Sequence, residues 1–314
     1  MTNLSTKNIA ASVKGKLLNL ARQQKRPFQE LLQYYCMERF LLRLSESSYQ
    51  SRFILKGALL FKVWEIADAR ATMDIDTLAK TSNSLENILL IVKALCELIP
   101  SVEDGVIFPV DAIQGQVMQL QREYEGVRIR FKASVGTAQI PMQIDIGFGD
   151  IITPFPDDIL YPTLLDLPSP KLKAYPSQTV IAEKIQTIFE KGDTNTRIKD
   201  YYDVWLLLRH PNASFPHLQL ALSQTFQARN TPFDRNLICT TIEQYAQLPR
   251  TQLLWEQFKR KELPGIYQEL TFQTLTEELS TLLLQKLATK PDAPQESNNA
   301  PPLEIIDSIN ADVL

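Results

Sequence analysis

"RATMDIDTLAK", residues 70–80, sets two aspartates, Asp74 and Asp76, two positions apart in an otherwise largely apolar run. Side chains on an extended strand alternate between faces, so Asp74 and Asp76 are expected on one side of one strand, a few ångströms apart. Like charges that close repel unless a cation lies between them. A metal ion, an arginine such as Arg128, or water alone would each relieve the repulsion, and the spacing does not choose among them.

Upstream, residues 5–45 carry apolar positions at helical spacing, with Pro27 where a second helix would begin. "RFILKGALLFKVWEIA", residues 52–67, turns from a short apolar run into a helical pattern at Lys56-Gly57. Downstream, 84–99 reads as a helix and 106–148 as a series of strands. In "GVRIRFKAS", Val127, Ile129 and Phe131 alternate with Arg128, Arg130 and Lys132, giving one apolar and one basic face. In "MQIDIGFGD", Met142, Ile144, Ile146 and Phe148 take the core side, leaving Gln143 and Asp145 on the other. Residues 151–176 hold six prolines and no glycine, a density read as irregular chain joining two domains. Beyond it, helices are expected at 177–191, 198–209, 215–229, 235–246, 251–260 and 271–288.

The pattern predicts an α+β fold: a small mixed sheet with flanking helices, then a helical domain. The expected divisions are N-terminal helices over 1–50, an α/β domain over 51–160, a helical domain over 161–288, and a flexible linker with a short acidic tail over 289–314.

Composition narrows the function classes. With 314 residues, 44% hydrophobic and 22% charged, the chain reads as an ordinary globular protein, and a formal charge of −3 argues against avid nucleic-acid binding through net charge. Residues 1–50 nevertheless hold eight Lys/Arg against three Asp/Glu. Cys36, Cys96 and Cys239 match no metal spacing, and their odd number points to a reducing, cytoplasmic setting. His210 and His217 give no support to histidine-based zinc or Ser-His-Asp chemistry. No run approaches the ~20 apolar residues that span a membrane.

Three features bear on the paired aspartates. If the strands carrying them and Asp145 are neighbours, three carboxylates converge, and such hard oxygen ligands suit Mg²⁺ beneath a phosphate chain. Lys56-Gly57-Ala58 lets backbone approach a ligand at a helix start. In "TVIAEKIQTIFEKGDTNTRIKDYYDVWLLL", Lys184 borders the stripe of Val180, Ile181, Ile185, Ile188 and Phe189. On the next predicted helix Lys199 and Asp203 stand at i and i+4, with Asp200 on a neighbouring line. A structural ion-pair cluster and a functional site account for this spacing equally well.

Four stretches, "YYCMERFLLRLSESSYQSRFILKGALLF", "RATMDIDTLA", "MQIDIGFGDIITP" and "YPSQTVIAEKIQTIFEKGDTNTRIKDYYDVWLLL", together resemble the AbiEii/AbiGii-type nucleotidyltransferase toxins of the DNA polymerase β-like superfamily. They come in that family's order and cover most of residues 30–210. The resemblance implies a Mg²⁺-dependent enzyme that moves a nucleotidyl group from a nucleoside triphosphate to an acceptor, with tRNA 3′ ends the expected acceptor. It also implies a separate antitoxin partner and a role in a toxin–antitoxin or phage-defence pair. Asp74, Asp76 and Asp145 would hold the metal, with Asp145 assisting deprotonation of the acceptor. Lys56, Gly57, Ala58 and Arg70 would meet the nucleotide. Lys184 would contact phosphates, and Asp203, or Asp200, would complete the site. Gly57-Ala58 departs from the superfamily's usual Gly-Ser or Gly-Gly. A protein or small-molecule hydroxyl as acceptor, or an inactive binding protein of the same fold, stays open.

Overall fold

The structure is a computed structural model, and it describes residues 2–119, 125–210, 215–263 and 265–288. The expected linker and acidic tail lie outside the described residues. Two helices open the chain, α1 (Thr2–Gln24) and α2 (Phe28–Ser45), separated at Pro27 as the fixed φ of proline favours. Strand β1 (Phe53–Lys56) runs into a 3₁₀ turn at Gly57–Leu59 and a single turn of helix, α3 (Leu60–Val63). Then follow β2 (Ile75–Ala79), α4 (Leu85–Glu97), β3 (Val106–Ile107), β4 (Gln114–Gln119), β5 (Glu125–Val135) and β6 (Ala138–Phe148). After two further strands the chain is helical: α5 (Ser177–Lys191), α6 (Ile198–Arg209), α7 (Leu218–Ala228), α8 (Arg235–Ala246), α9 (Pro249–Glu262) and α10 (Phe272–Ala288).

Those two strands, β7 (Asp157–Leu160) and β8 (Lys171–Ala174), correct the reading of 151–176 as irregular. Proline removes a donor only at its own position, and both strands fit in the intervals between prolines. β8 pairs parallel to β1, so the sheet extends past residue 160. Its eight strands run β3-β5-β6-β2-β1-β8-β7, with β4 also paired to β5. The fold is therefore the mixed sheet with flanking helices that the periodicity implies.

Alternation decides what each sheet face meets. Val127, Ile129, Phe131, Met142, Ile144 and Ile146 are all buried, and the face they form packs against α2 and α4. Phe40 of α2 stands 5.3 Å from Phe131 and 5.7 Å from Phe108, ring centre to ring centre. The opposite face carries a polar row whose register places Lys56 beside Asp76, Asp76 beside Asp145, Asp145 beside Arg128, and Arg128 beside Gln116. Five strands thus contribute one polar side chain each to one line across the sheet.

The basic character of residues 1–50 is partly internal. Arg39 and Arg43 of α2 are buried, and Arg43 pairs with Asp104 at 2.7 Å, fixing α2 to the loop before β3. Buried ion pairs of this kind position elements and add nothing to a surface field.

Candidate active site

The polar row holds two of the three carboxylates. Asp76 and Asp145 sit in paired, parallel strands, so their backbones are held by the ladder. Asp74 stands one residue before β2 begins. One oxygen from each of Asp74, Asp76 and Asp145 lies within 4.8 Å of the other two, and all three residues are half-buried. Burial, then the neighbouring Asp74 charge, pushes the Asp76 carboxyl up to about 6, against the pull of Lys56 and in company with Asp145. Three hard oxygen donors with surplus negative charge at that separation fit a divalent cation of the Mg²⁺ kind.

Glycine is demanded at position 57. Its φ is +78°, in the left-handed region, and a Cβ there would run into the Asp76 carboxylate. The turn from β1 into α3 therefore passes directly over Asp76. The helix that follows has four residues, too short for an appreciable dipole, so what the turn offers a ligand is close backbone. Ala58 contributes no side-chain donor.

Cations lie around the triad, each anchored to carboxylates. Arg128 grips Asp145 with Nε at 2.7 Å and Nη2 at 2.5 Å. Lys56 turns toward the helical half, where its Nζ lies 2.6 Å from Asp150 and 3.6 Å from Glu183. Arg229 reaches the same two carboxylates at 3.8 and 3.5 Å, and the Tyr175 hydroxyl donates to Asp150 at 3.2 Å. Burial favours the neutral amine of Lys56, but the Glu183 and Asp150 charges outweigh it and raise its pKa. Burial raises the Glu183 carboxyl, while Lys56 holds Asp150 down against the same effect.

The second anchored set joins α5, α6 and the segment before β2. Lys184 lies 2.6 Å from Asp200 and 2.8 Å from Asp203. Arg197 meets Asp200 at 2.6 Å, and Arg70 forks onto Asp203 at 3.0 and 2.8 Å. Burial opposes both charges, yet Lys184 is raised by Asp200 and Asp203, and Asp200 is driven well below the usual carboxylate range by Lys184 and Arg197. Lys184 is near enough for its charge to act on Asp76.

The geometry thus brings Asp74, Asp76, Asp145 and Gly57 together. It sets Lys184, Asp203, Asp200 and Arg70 in an adjoining ion-pair cluster, and directs Lys56 to Asp150 and Glu183. Lys199, expected opposite Asp203, is exposed, and Asp203 takes its partners from α5 and from Arg70. Sequence reasoning missed Thr72, Asp150, Glu183, Arg197 and Arg229. Glu183 beside Lys184, and Arg197 three residues before Asp200, carried a faint signal; Arg229 carried none.

A proposed nucleotidyltransferase from H. pylori superposes with a TM-score of 0.50 at 14% identity, covering 82% of this chain and 94% of that one. A second structure, JHP933 from Helicobacter pylori, gives a TM-score of 0.48 at 15% identity, covering 82% of this chain and 91% of its own. No curated protein matches the sequence at a significant level. A family profile described as the nucleotidyl transferase AbiEii toxin of type IV toxin–antitoxin systems matches residues 39–289. The chain belongs to that family and is a nucleotidyltransferase. Among the described residues no helix is long and apolar enough to cross a membrane.

Proposed function

We propose that the chain is a Mg²⁺-dependent toxin that transfers a nucleotidyl group from a nucleoside triphosphate to the 3′ hydroxyl of a tRNA, held in check by a cognate antitoxin protein in the cytoplasm. The observation that carries this reading is the convergence of Asp74, Asp76 and Asp145 within 4.8 Å, with the Gly57 turn passing over Asp76. These three carboxylates would hold Mg²⁺, which when bound neutralises the triphosphate and the departing pyrophosphate.

The remaining work falls to the chain's own side chains. The backbone of Gly57 and Ala58 lines the approach of the triphosphate. Lys184 and Arg70 add positive charge beside it, already oriented by Asp200 and Asp203. The acceptor oxygen attacks the α-phosphorus as its proton passes to the Asp145 carboxylate; the bond from α-phosphorus to the bridging oxygen breaks, and pyrophosphate leaves. Arg128 keeps Asp145 aimed, and a carboxylate so gripped retains further lone pairs for a metal and a proton.

The sheet face leading away from Asp145 supports a polynucleotide acceptor. Arg128, Arg130 and Lys132 project from it at alternate positions, about 6.7 Å apart along the strand, a spacing suited to successive phosphates of an extended chain. Gln116 and Gln143 flank them, and on β6 Asp145 is the one acidic residue.

Incubation of the protein with each labelled triphosphate, Mg²⁺ and total RNA, beside an Asp76→Asn control, tests the proposal. Label on tRNA that disappears in the control is the expected result. Label on protein would move the acceptor to a protein hydroxyl, and equal inertness of both proteins with all four nucleotides would leave a binding protein of the same fold.

A further inference from the structure

Asp74 differs from the other two carboxylates in what holds it. Asp76 and Asp145 are fixed by strand pairing, while Asp74 precedes β2 and takes part in none of the paired register. Among the described residues its carboxylate has one hydrogen-bond partner, the Thr72 hydroxyl, which donates to Asp74 Oδ1 at 2.7 Å. Thr72 is 5% exposed, so this hydroxyl has little water to turn to. Its backbone N–H in turn donates to the Tyr34 hydroxyl of α2 at 3.0 Å. The neighbouring α2 residue completes the clamp: Gln33 Nε2 donates to the Met73 carbonyl at 3.3 Å and to the Pro141 carbonyl at 2.7 Å. One glutamine thereby ties the residue before Asp74 to β6, the strand that carries Asp145.

We propose that Thr72 is a positioning residue for the metal-binding carboxylate of Asp74, held in place by Tyr34 and Gln33 of α2. The inference rests on reading Asp74, Asp76 and Asp145 as a divalent-metal site. The hydroxyl on Oδ1 fixes the rotation of the carboxylate, while Oδ2 makes no hydrogen bond among the described residues and is open to the ion. Partners of ligating groups commonly set orientation in this way, and their loss weakens metal affinity by roughly 10- to 100-fold. Helix α2 then belongs to the site through Tyr34 and Gln33.

The test is Mn²⁺ binding to the full-length protein, followed by electron paramagnetic resonance of the free ion, with and without a nucleotide carrying a non-transferable α,β-methylene linkage. Thr72→Val keeps the branched shape and removes the donor; Thr72→Ser keeps the donor. Tyr34→Phe leaves Thr72 intact and removes only the acceptor of its N–H. The expected result is Mn²⁺ affinity lowered by roughly tenfold or more in Thr72→Val, close to wild type in Thr72→Ser, and lowered measurably, by less than in Thr72→Val, in Tyr34→Phe. In the transfer assay the Mg²⁺ concentration for half-maximal rate rises in Thr72→Val, while the rate at saturating Mg²⁺ changes by less than a fewfold. Wild-type Mn²⁺ affinity in Thr72→Val overturns the inference, as does a Thr72→Ser protein as weak as Thr72→Val. If Thr72→Val does not fold, unchanged affinity in Tyr34→Phe overturns it. Failure of the wild type itself to bind Mn²⁺ sinks the metal reading on which the inference stands.

Discussion

Asp200 and Asp203 on α6 meet Lys184, Arg197 and Arg70, whereas among the described residues Asp74, Asp76 and Asp145 meet one guanidinium between them, that of Arg128. The same side chain is therefore complete in one place and in want of a cation in the other. The pKa directions agree, with Asp200 driven down by its partners and Asp76 pushed up by burial and by Asp74. A buried carboxylate with hydrogen-bonded cations is a joint between elements, and here it joins α5, α6 and the segment before β2. A cluster of carboxylates short of positive charge is a candidate site for a cation.

This contrast can be broken by experiment. Asp76→Asn is expected to lower nucleotidyl transfer about a thousandfold, ~4 kcal/mol of transition-state stabilisation, with the metal-free melting temperature unchanged or higher. A melting temperature that falls with the activity would make Asp76 a structural residue like those on α6. Asp203→Ala should do the reverse to stability: stranding Arg70 and Lys184 is expected to cost about 3 kcal/mol, read as a lowered denaturant midpoint. An unaltered midpoint would show that the α6 cluster is no joint.

The pH dependence of stability should differ in sign between the clusters. Asp200 has a depressed carboxyl, so its contribution is present above the ordinary carboxylate range and is lost as acid protonates it below that range. Asp76, raised to about 6, binds a proton more tightly in the fold than in the unfolded chain, so the metal-free protein gains from it as pH falls from about 6 toward 4. Melting curves across that window should show the gain in the wild type and its disappearance in Asp76→Asn. Equal slopes in the two proteins would place Asp76 in an ordinary solvated setting. The smallest effect is expected on the open sheet face: Arg130→Ala should weaken RNA binding and reduce the slope of log affinity against log salt by about 1, leaving stability unchanged. A steeper or unchanged slope would remove Arg130 from any phosphate track.

The opening stretch shows how far reading from sequence can go. Period-two alternation in 127–131 and 142–148 identified both sheet faces, because burial on one side leaves that pattern whatever the strand's neighbours are. The helical periods after residue 177 likewise matched α5 to α10 within a few residues. The proline-rich stretch misled, since counting prolines over 26 residues hides the five-residue gaps in which the four-residue strands β7 and β8 fit. Asp74 was expected on the strand with Asp76 and instead stands just before it, which is why its orientation depends on Thr72.

By itself the amino-acid sequence determined most of the helices and strands, β7 and β8 excepted, and which face of each is apolar, since these depend on neighbours a few positions away. Tertiary structure alone decided that β2 lies between β1 and β6, so that Lys56, Asp76, Asp145 and Arg128 share one row. It alone decided that Lys56 spends its charge on Asp150 and Glu183, and Arg70 on Asp203. A charged side chain settles on whichever partner desolvation leaves within reach, and that partner is brought there by strand register and helix packing across long stretches of chain.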